Sequence, residues 1–303
     1  VDTPTIVSLG GFGVVSLGAG ISVSLGNTWA GVSLGGVGSV SLGNGVFGVS
    51  LGGGVLSLNP GHNDIGGNGW GVSLGESGFW ISKVAIGGGH TIFVHRESFS
   101  KNAYLSGRNS SGQLGNGNQT PRNGYAYGLS GVRDAAAGES FSLFLKEDGS
   151  LWGTGGNEYG QLGLGHENNQ SVPQMIVSSG VQRVSAGFDH AFYIKSDGSL
   201  WGMGRNDHGQ LGTGDQIDRN QSVLILSSGI SQVSAGKDHT LIVKTDGSLW
   251  AMGKNDLGQL GTGDTNIRLI PTRIEPDGVK QASAGLDHSL FVKWNGSLRG
   301  MGY

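Results

Sequence analysis

One segment of this chain returns at a fixed interval, and that interval limits the fold more than any other property. Val184-Ser185-Ala186-Gly187-Phe188-Asp189-His190 reappears as Val233-Ser234-Ala235-Gly236-Lys237-Asp238-His239 and again as Ser283-Ala284-Gly285-Leu286-Asp287-His288, each copy 49 residues from the last. A unit of that length cannot bury its apolar face alone, so it must stack on its neighbours. After each copy comes an apolar run such as Thr240-Leu241-Ile242-Val243, then Lys244-Thr245-Asp246-Gly247-Ser248, then Leu249-Trp250-Ala251-Met252-Gly253. That order reads as strand, tight turn, strand, because the glycine accepts the positive φ such a turn demands. The turn recurs at Asp148-Gly149, Asp197-Gly198 and Asn295-Gly296. A loop, Asn-x-x-Gly-Gln-Leu-Gly, follows at Asn109–Gly115, Asn157–Gly163, Asn206–Gly212 and Asn255–Gly261, and a short fourth strand such as Pro271-Thr272-Arg273-Ile274 ends the unit. Four short strands per repeat predict one propeller blade per repeat. No segment carries the apolar spacing of an amphipathic helix, which excludes a helical solenoid.

Composition narrows the function classes. Glycine makes up 61 of 303 residues, but it does not fall on every third position and only 6 prolines accompany it, so the chain is not collagen-like. Net charge is −3 with no dense Lys/Arg cluster, which argues against nucleic acid as a partner. No apolar run is long enough to span a bilayer, so membrane insertion is not expected. The absence of cysteine removes disulfides, thiolate metal sites and cysteine nucleophiles. Low charge with Gly, Ser and Asn richness suggests a secreted or surface-exposed bacterial setting.

The Gly-x-Asp-His, Asp-Gly-Ser-Leu-Trp and Asn-x-x-Gly-Gln-Leu-Gly elements resemble the repeats of the regulator of chromosome condensation family, over residues 84–303. The resemblance implies an all-β, seven-bladed β-propeller of four-stranded antiparallel blades, here a single domain over residues 1–303. Residues 1–83 differ: they lack Arg throughout and Lys before Lys83, and Val-Ser-Leu-Gly occurs at Val7, Val15, Val23, Val32, Val40, Val49 and Val72. They still align in phase as degenerate blades, with Gly61–Gly66 matching the start of the loop motif. Inner-strand glycines then number seven: Gly18, Gly43, Gly87, Gly138, Gly187, Gly236 and Gly285. Six blades result if Gly18–Gly43 is merely a hairpin. Pro4–Val7 resembles Pro271–Ile274, so the N-terminus is expected to supply the outer strand of the last blade and close the ring.

The repeated Asp189-His190, Asp238-His239 and Asp287-His288 could serve metal binding, anion binding or acid–base catalysis. An active site needs one constellation, however, and these pairs recur once per blade, as a structural pin for the turn into the second strand would. Trp152, Trp201 and Trp250 share one position and are expected to pack between sheets. No catalytic motif, metal site or cofactor site is predicted.

The informative positions are those that vary on a fixed frame. They are Ser110, Ser111, Glu158, Tyr159, Asp207, His208, Asp256 and Leu257 in the loop motif, with Glu139, Phe188, Lys237 and Leu286 after the inner-strand glycine. In a four-stranded antiparallel blade both loops leave on one face, so these residues should share a rim. The expected function is a non-enzymatic scaffold that binds another protein through that rim. Family resemblance offers guanine-nucleotide exchange on a small GTPase and inhibition of an enzyme by capping it as alternatives; a ligand or glycan in the channel is another.

Overall fold

The computed structural model describes eight short strands within residues 5–74 and, beyond them, residues 80–97 and 100–303. The eight strands form two parallel sheets. The first orders β1 (Thr5–Leu9), β3 (Ile21–Leu25), β5 (Gly38–Leu42) and β7 (Gly54–Leu58); the second orders β2 (Val14–Leu17), β4 (Gly31–Leu34), β6 (Val49–Leu51) and β8 (Val72–Leu74). The Val-Ser-Leu copies from Val7 to Val49 alternate between the sheets, so Val7 pairs with Val23 and Val23 with Val40 in one, while Val15, Val32, Val49 and then Val72 align in the other.

This corrects the expected closure. Thr5–Leu9 pairs with Ile21–Leu25, and the last sheet of the chain has three strands rather than four. The reason is local: identical tripeptides pair in register at short separation, where loop closure costs least, before a partner near the C-terminus can compete. Pro4, Gly18, Gly43 and Gly61–Gly66 lie outside the described residues.

From Trp80 onward the sheets are antiparallel blades. The first holds β9 (Trp80–Ile86), β10 (His90–Glu97), β11 (Ser100–Gly107) and β12 (Arg122–Ser130). The second holds β13 (Val132–Ala137), β14 (Phe141–Lys146), β15 (Leu151–Gly155) and β16 (Gln170–Val177). β17 (Val181–Ala186), β18 (His190–Lys195), β19 (Leu200–Gly204) and β20 (Arg219–Leu226) form the third. The fourth comprises β21 (Ile230–Ala235), β22 (His239–Lys244), β23 (Leu249–Gly253) and β24 (Arg268–Glu275). The fifth has β25 (Val279–Ala284), β26 (His288–Lys293) and β27 (Leu298–Gly302).

Burial follows position in the blade. Second strands such as Phe141–Leu145 are buried at every residue because a neighbouring blade covers each face, which explains their unbroken apolar runs; outer strands such as Gln170–Val177 are half exposed. The core is therefore a series of seams. Ile92, Val94, Leu105 and Leu114 of the first blade pack on Val132, Ala135 and Phe144 of the second; Leu143, Leu145, Leu151 and Leu162 of the second pack on Val181 and Tyr193 of the third, and later seams repeat the scheme. Trp152, Trp201 and Trp250 sit half-buried at these seams, with a lysine over each ring. Each Asp-Gly turn is a three-residue loop: Gly149 at φ 79° donates to the Lys146 carbonyl, and Asp148 Oδ1 accepts from the Ser150 amide and hydroxyl.

Candidate functional site

The loop motif closes on its own side chains. Asn255, 1% exposed, accepts the Leu260 amide on Oδ1 at 2.9 Å and donates through Nδ2 to the Asp264 and Asn266 carbonyls, while Gln259 Oε1 accepts the Leu257 amide. Asn109, Asn157 and Asn206 make the equivalent bonds. The invariant residues are thus consumed in holding the loop, and the two variable positions are left outside.

The histidines pin blades together. His239 donates through Nε2 to Ser289 Oγ of the next blade at 2.8 Å, and that hydroxyl donates onward to the Gln259 carbonyl of the first. The same three-membered clamp joins His90, Ser142 and Gln113, and joins His190, Thr240 and Gln210. Because the hydroxyl proton goes to the carbonyl, each imidazole carries its proton on Nε2. Its Nδ1 is buried without a partner, and the ring lies so close to the preceding glycine that a Cβ on Gly187 would stand 2.4 Å from His190 Cε1. Desolvation holds His90 and His239 down at about 4 and His190 at about 3, so all three are neutral near pH 7. The expectation of a structural role is met, but the pin runs across the seam as well as over its own turn. At one seam the clamp is absent: Phe141 stands in the histidine position, and Ala191, opposite it, lacks the hydroxyl. The polar network is kept whole or replaced whole, as the cost of leaving a buried partner unpaired requires.

The two loops of each blade do meet on one face. Arg205 donates its amide to the Asp189 carbonyl at 2.9 Å, Lys254 to Asp238 and Arg108 to Gly89. Backbone bonds also link blade to blade round the inner mouth: Gly88 to Gly138, Glu139 to Phe188, Phe188 to Gly236 and Lys237 to Gly285. This places Glu139, Phe188 and Lys237 side by side, with Leu286 next in order, and the pairs Ser110–Ser111, Glu158–Tyr159, Asp207–His208 and Asp256–Leu257 further out. None of the twelve is buried, and Leu257 is 45% exposed.

Three cations that sequence reasoning passed over organise this surface. Arg205 lies over the Tyr159 ring at 5.0 Å, pairs with Asp207 at 2.6 Å and stands 3.8 Å from Asp189; Asp207 in turn accepts from His208 Nδ1 at 2.9 Å. Arg108 faces Glu139 at 3.9 Å, and Lys254 faces Asp256 at 3.3 Å. The signal was present, since the residue before each loop Asn also varies: Arg108, Gly156, Arg205, Lys254. Burial raises Asp189 to about 6; the Arg205 guanidinium opposes this, and the nearby carboxylates of Glu139, Asp238 and Glu158 add to it. In number, carboxylates lead here: Glu139, Glu158, Asp189, Asp207, Asp238 and Asp256 against Arg108, Arg205, Lys237 and Lys254. Among the described residues, no three His, Asp or Glu side chains gather as a metal site.

A family model described as the RCC1-like domain matches residues 39–303. The ultraviolet-B receptor UVR8 of Arabidopsis thaliana is 33% identical over 106 residues, 34% of this chain and 23% of the receptor. The human X-linked retinitis pigmentosa GTPase regulator is 35% identical over 101 residues, 32% of this chain and 10% of that protein. Among solved structures, human WBSCR16 superposes with a TM-score of 0.63 at 23% identity, covering 74% of this chain and 62% of that one. Yeast RCC1 (Prp20), solved with Kap60, gives 0.66 at 19% identity over 75% of this chain and 57% of its own. The chain thus spans less than two thirds of each of these proteins, and the structural likenesses establish the propeller fold.

Proposed function

The chain belongs to the RCC1-like domain family, and on that premise we propose that it binds another protein through the rim bearing Tyr159, Phe188, His208, Leu257 and Leu286, without chemistry of its own. One observation supports the reading: the Asn and Gln side chains repeated in every copy of the loop motif are buried in the frame, whereas none of the twelve variable positions is buried. Aromatic and arginine anchors among polar neighbours have the composition of binding hot spots. Because loops held by internal hydrogen bonds are already ordered, little entropy is lost on docking. The excess of carboxylates round Asp189 suits a partner that brings a basic side chain to the mouth.

Site-specific photocrosslinking tests this. A photoreactive residue at Leu257 is expected to capture the partner, and one at Thr245, in an Asp-Gly turn on the opposite face, is not; capture from Thr245 alone would reverse the assignment. Asp189→Asn and Tyr159→Ala should each weaken a captured complex, by about tenfold for the tyrosine.

Nucleotide exchange on a small GTPase is the second reading. It is favoured by the likeness to a protein named a GTPase regulator and by the fold shared with Prp20p, which was studied for its binding to Gsp1p and histones. Release of a fluorescent nucleotide from a GTPase separates the two: acceleration supports exchange, and binding without acceleration supports the scaffold.

A further inference from the structure

The face opposite the rim holds an open cavity of about 520 Å³ lined by Lys101, Arg133, Asp134, Glu147, Gln182 and Arg183. A backbone irregularity shapes it. Val132 pairs with Lys146 and Asp134 with Leu145, leaving Arg133 as an extra residue in a bulge; Gln182 is the extra residue in the next blade, between Val181 and Arg183. A bulge breaks strict alternation and re-aims side chains, so two consecutive residues from each strand reach the same cavity.

The charges there do not cancel. Asp134 pairs with Lys83 at 2.9 Å and Glu147 with Lys101 at 2.8 Å, so both carboxylates are matched. Arg133 spends Nη2 on the Val181 carbonyl at 2.8 Å, but its Nε is buried with no partner. Arg183 has no ion pair among the described residues. Two guanidinium groups are left over beside a cavity in a chain whose net charge is −3. A guanidinium fork matches the oxygens of phosphoryl and carboxylate groups, and a buried unpaired donor favours a ligand that supplies an acceptor.

We propose that this mouth is a binding site for a multivalent oxyanion, held by the guanidinium groups of Arg133 and Arg183. The cavity volume lies within the usual range for small-molecule sites, which leaves room for a compact anion of several heavy atoms. The site is separate from the rim and does not depend on the partner reading.

Calorimetric titration of the full chain at low salt with pyrophosphate, and separately with citrate, tests the site. Saturable binding of at least one probe is expected. Pyrophosphate alone would identify a phosphoryl ligand, citrate alone a carboxylate, and both the shared oxyanion chemistry. Arg183→Gln leaves the Arg133 bond to the next blade intact and should weaken binding about tenfold or more. Lys280→Gln, at the position equivalent to Arg133 in the last blade, should leave binding unchanged. No binding of either probe, or equal binding by Arg183→Gln and the parent chain, overturns the proposal, as does an equal loss in Lys280→Gln.

Discussion

Each seam clamp turns on a single hydroxyl, and the cost of losing it is set by what is stranded. Ser289→Ala leaves the His239 Nε2–H and the Gln259 carbonyl without their partner in a dry interface. The expected loss is about 1–3 kcal/mol, read from urea unfolding. Adding His239→Phe reproduces the Phe141–Ala191 arrangement and should recover most of it, so the double-mutant cycle should show coupling of about 1 kcal/mol. Additive losses would mean that the clamp contributes nothing as a unit. The histidines were legible in the sequence as repeated residues; their partners were not, because each lies one blade ahead. Set against the histidine position of the preceding blade, the substitution of Phe141 coincides with that of Ala191, but only when the blades are compared one step out of phase.

The loop motif docks on the outer strand of the following blade, and its first glycine reports whether that strand is present. A Cβ on Gly160 would stand 2.2 Å from the Asn220 Cα of the next blade, and one on Gly209 would stand 2.9 Å from the Leu269 Cα. At Gly258 nothing lies within 4 Å; among the described residues the fifth blade has three strands and no fourth to receive it. Both Gly160 and Gly258 have φ near 75°. Gly258→Ala should therefore cost only the left-handed strain, about 1–2 kcal/mol, whereas Gly160→Ala adds a backbone clash worth about 1–3 kcal/mol more. Comparing the two unfolding midpoints checks this; equal costs would show that a strand does cover Gly258. At this scale the hairpins, turns and loop motif were readable because propensity, turn chemistry and burial agree. The parallel pairing of β1–β8 was not, since an alternating tripeptide looks the same whichever direction its neighbour runs. Nor did the sequence announce the bulges at Arg133 and Gln182, which depend on register with the adjoining strand.

Across the whole molecule the clamps make stability depend on pH. His90, His190 and His239 bind a proton only near pH 3 to 4 in the fold but near 6.5 once unfolded, so unfolding takes up as many as three protons in that window. Their contribution is complete above about pH 6.5 and declines as pH falls towards 4. Asp189 acts in the opposite sense: its raised pKa adds stability as pH falls through about 6, leaving a net uptake nearer two protons. The slope of unfolding free energy against pH measures this number, and a flat profile between pH 6 and 4 would contradict it. The last blade shows the same dependence on a neighbour. Leu290 and Leu298 are 40% and 67% exposed, whereas Leu241 and Leu249 at the same places are 1% and 0% exposed under the following blade.

The Phe141–Ala191 contact has a consequence for how such an array comes apart. It has no proton to gain, so mild acid loosens the joints on either side of it and spares this one. A protease added at about pH 5 should cut first near the borders of residues 132–226 and leave that pair of sheets as the most durable fragment.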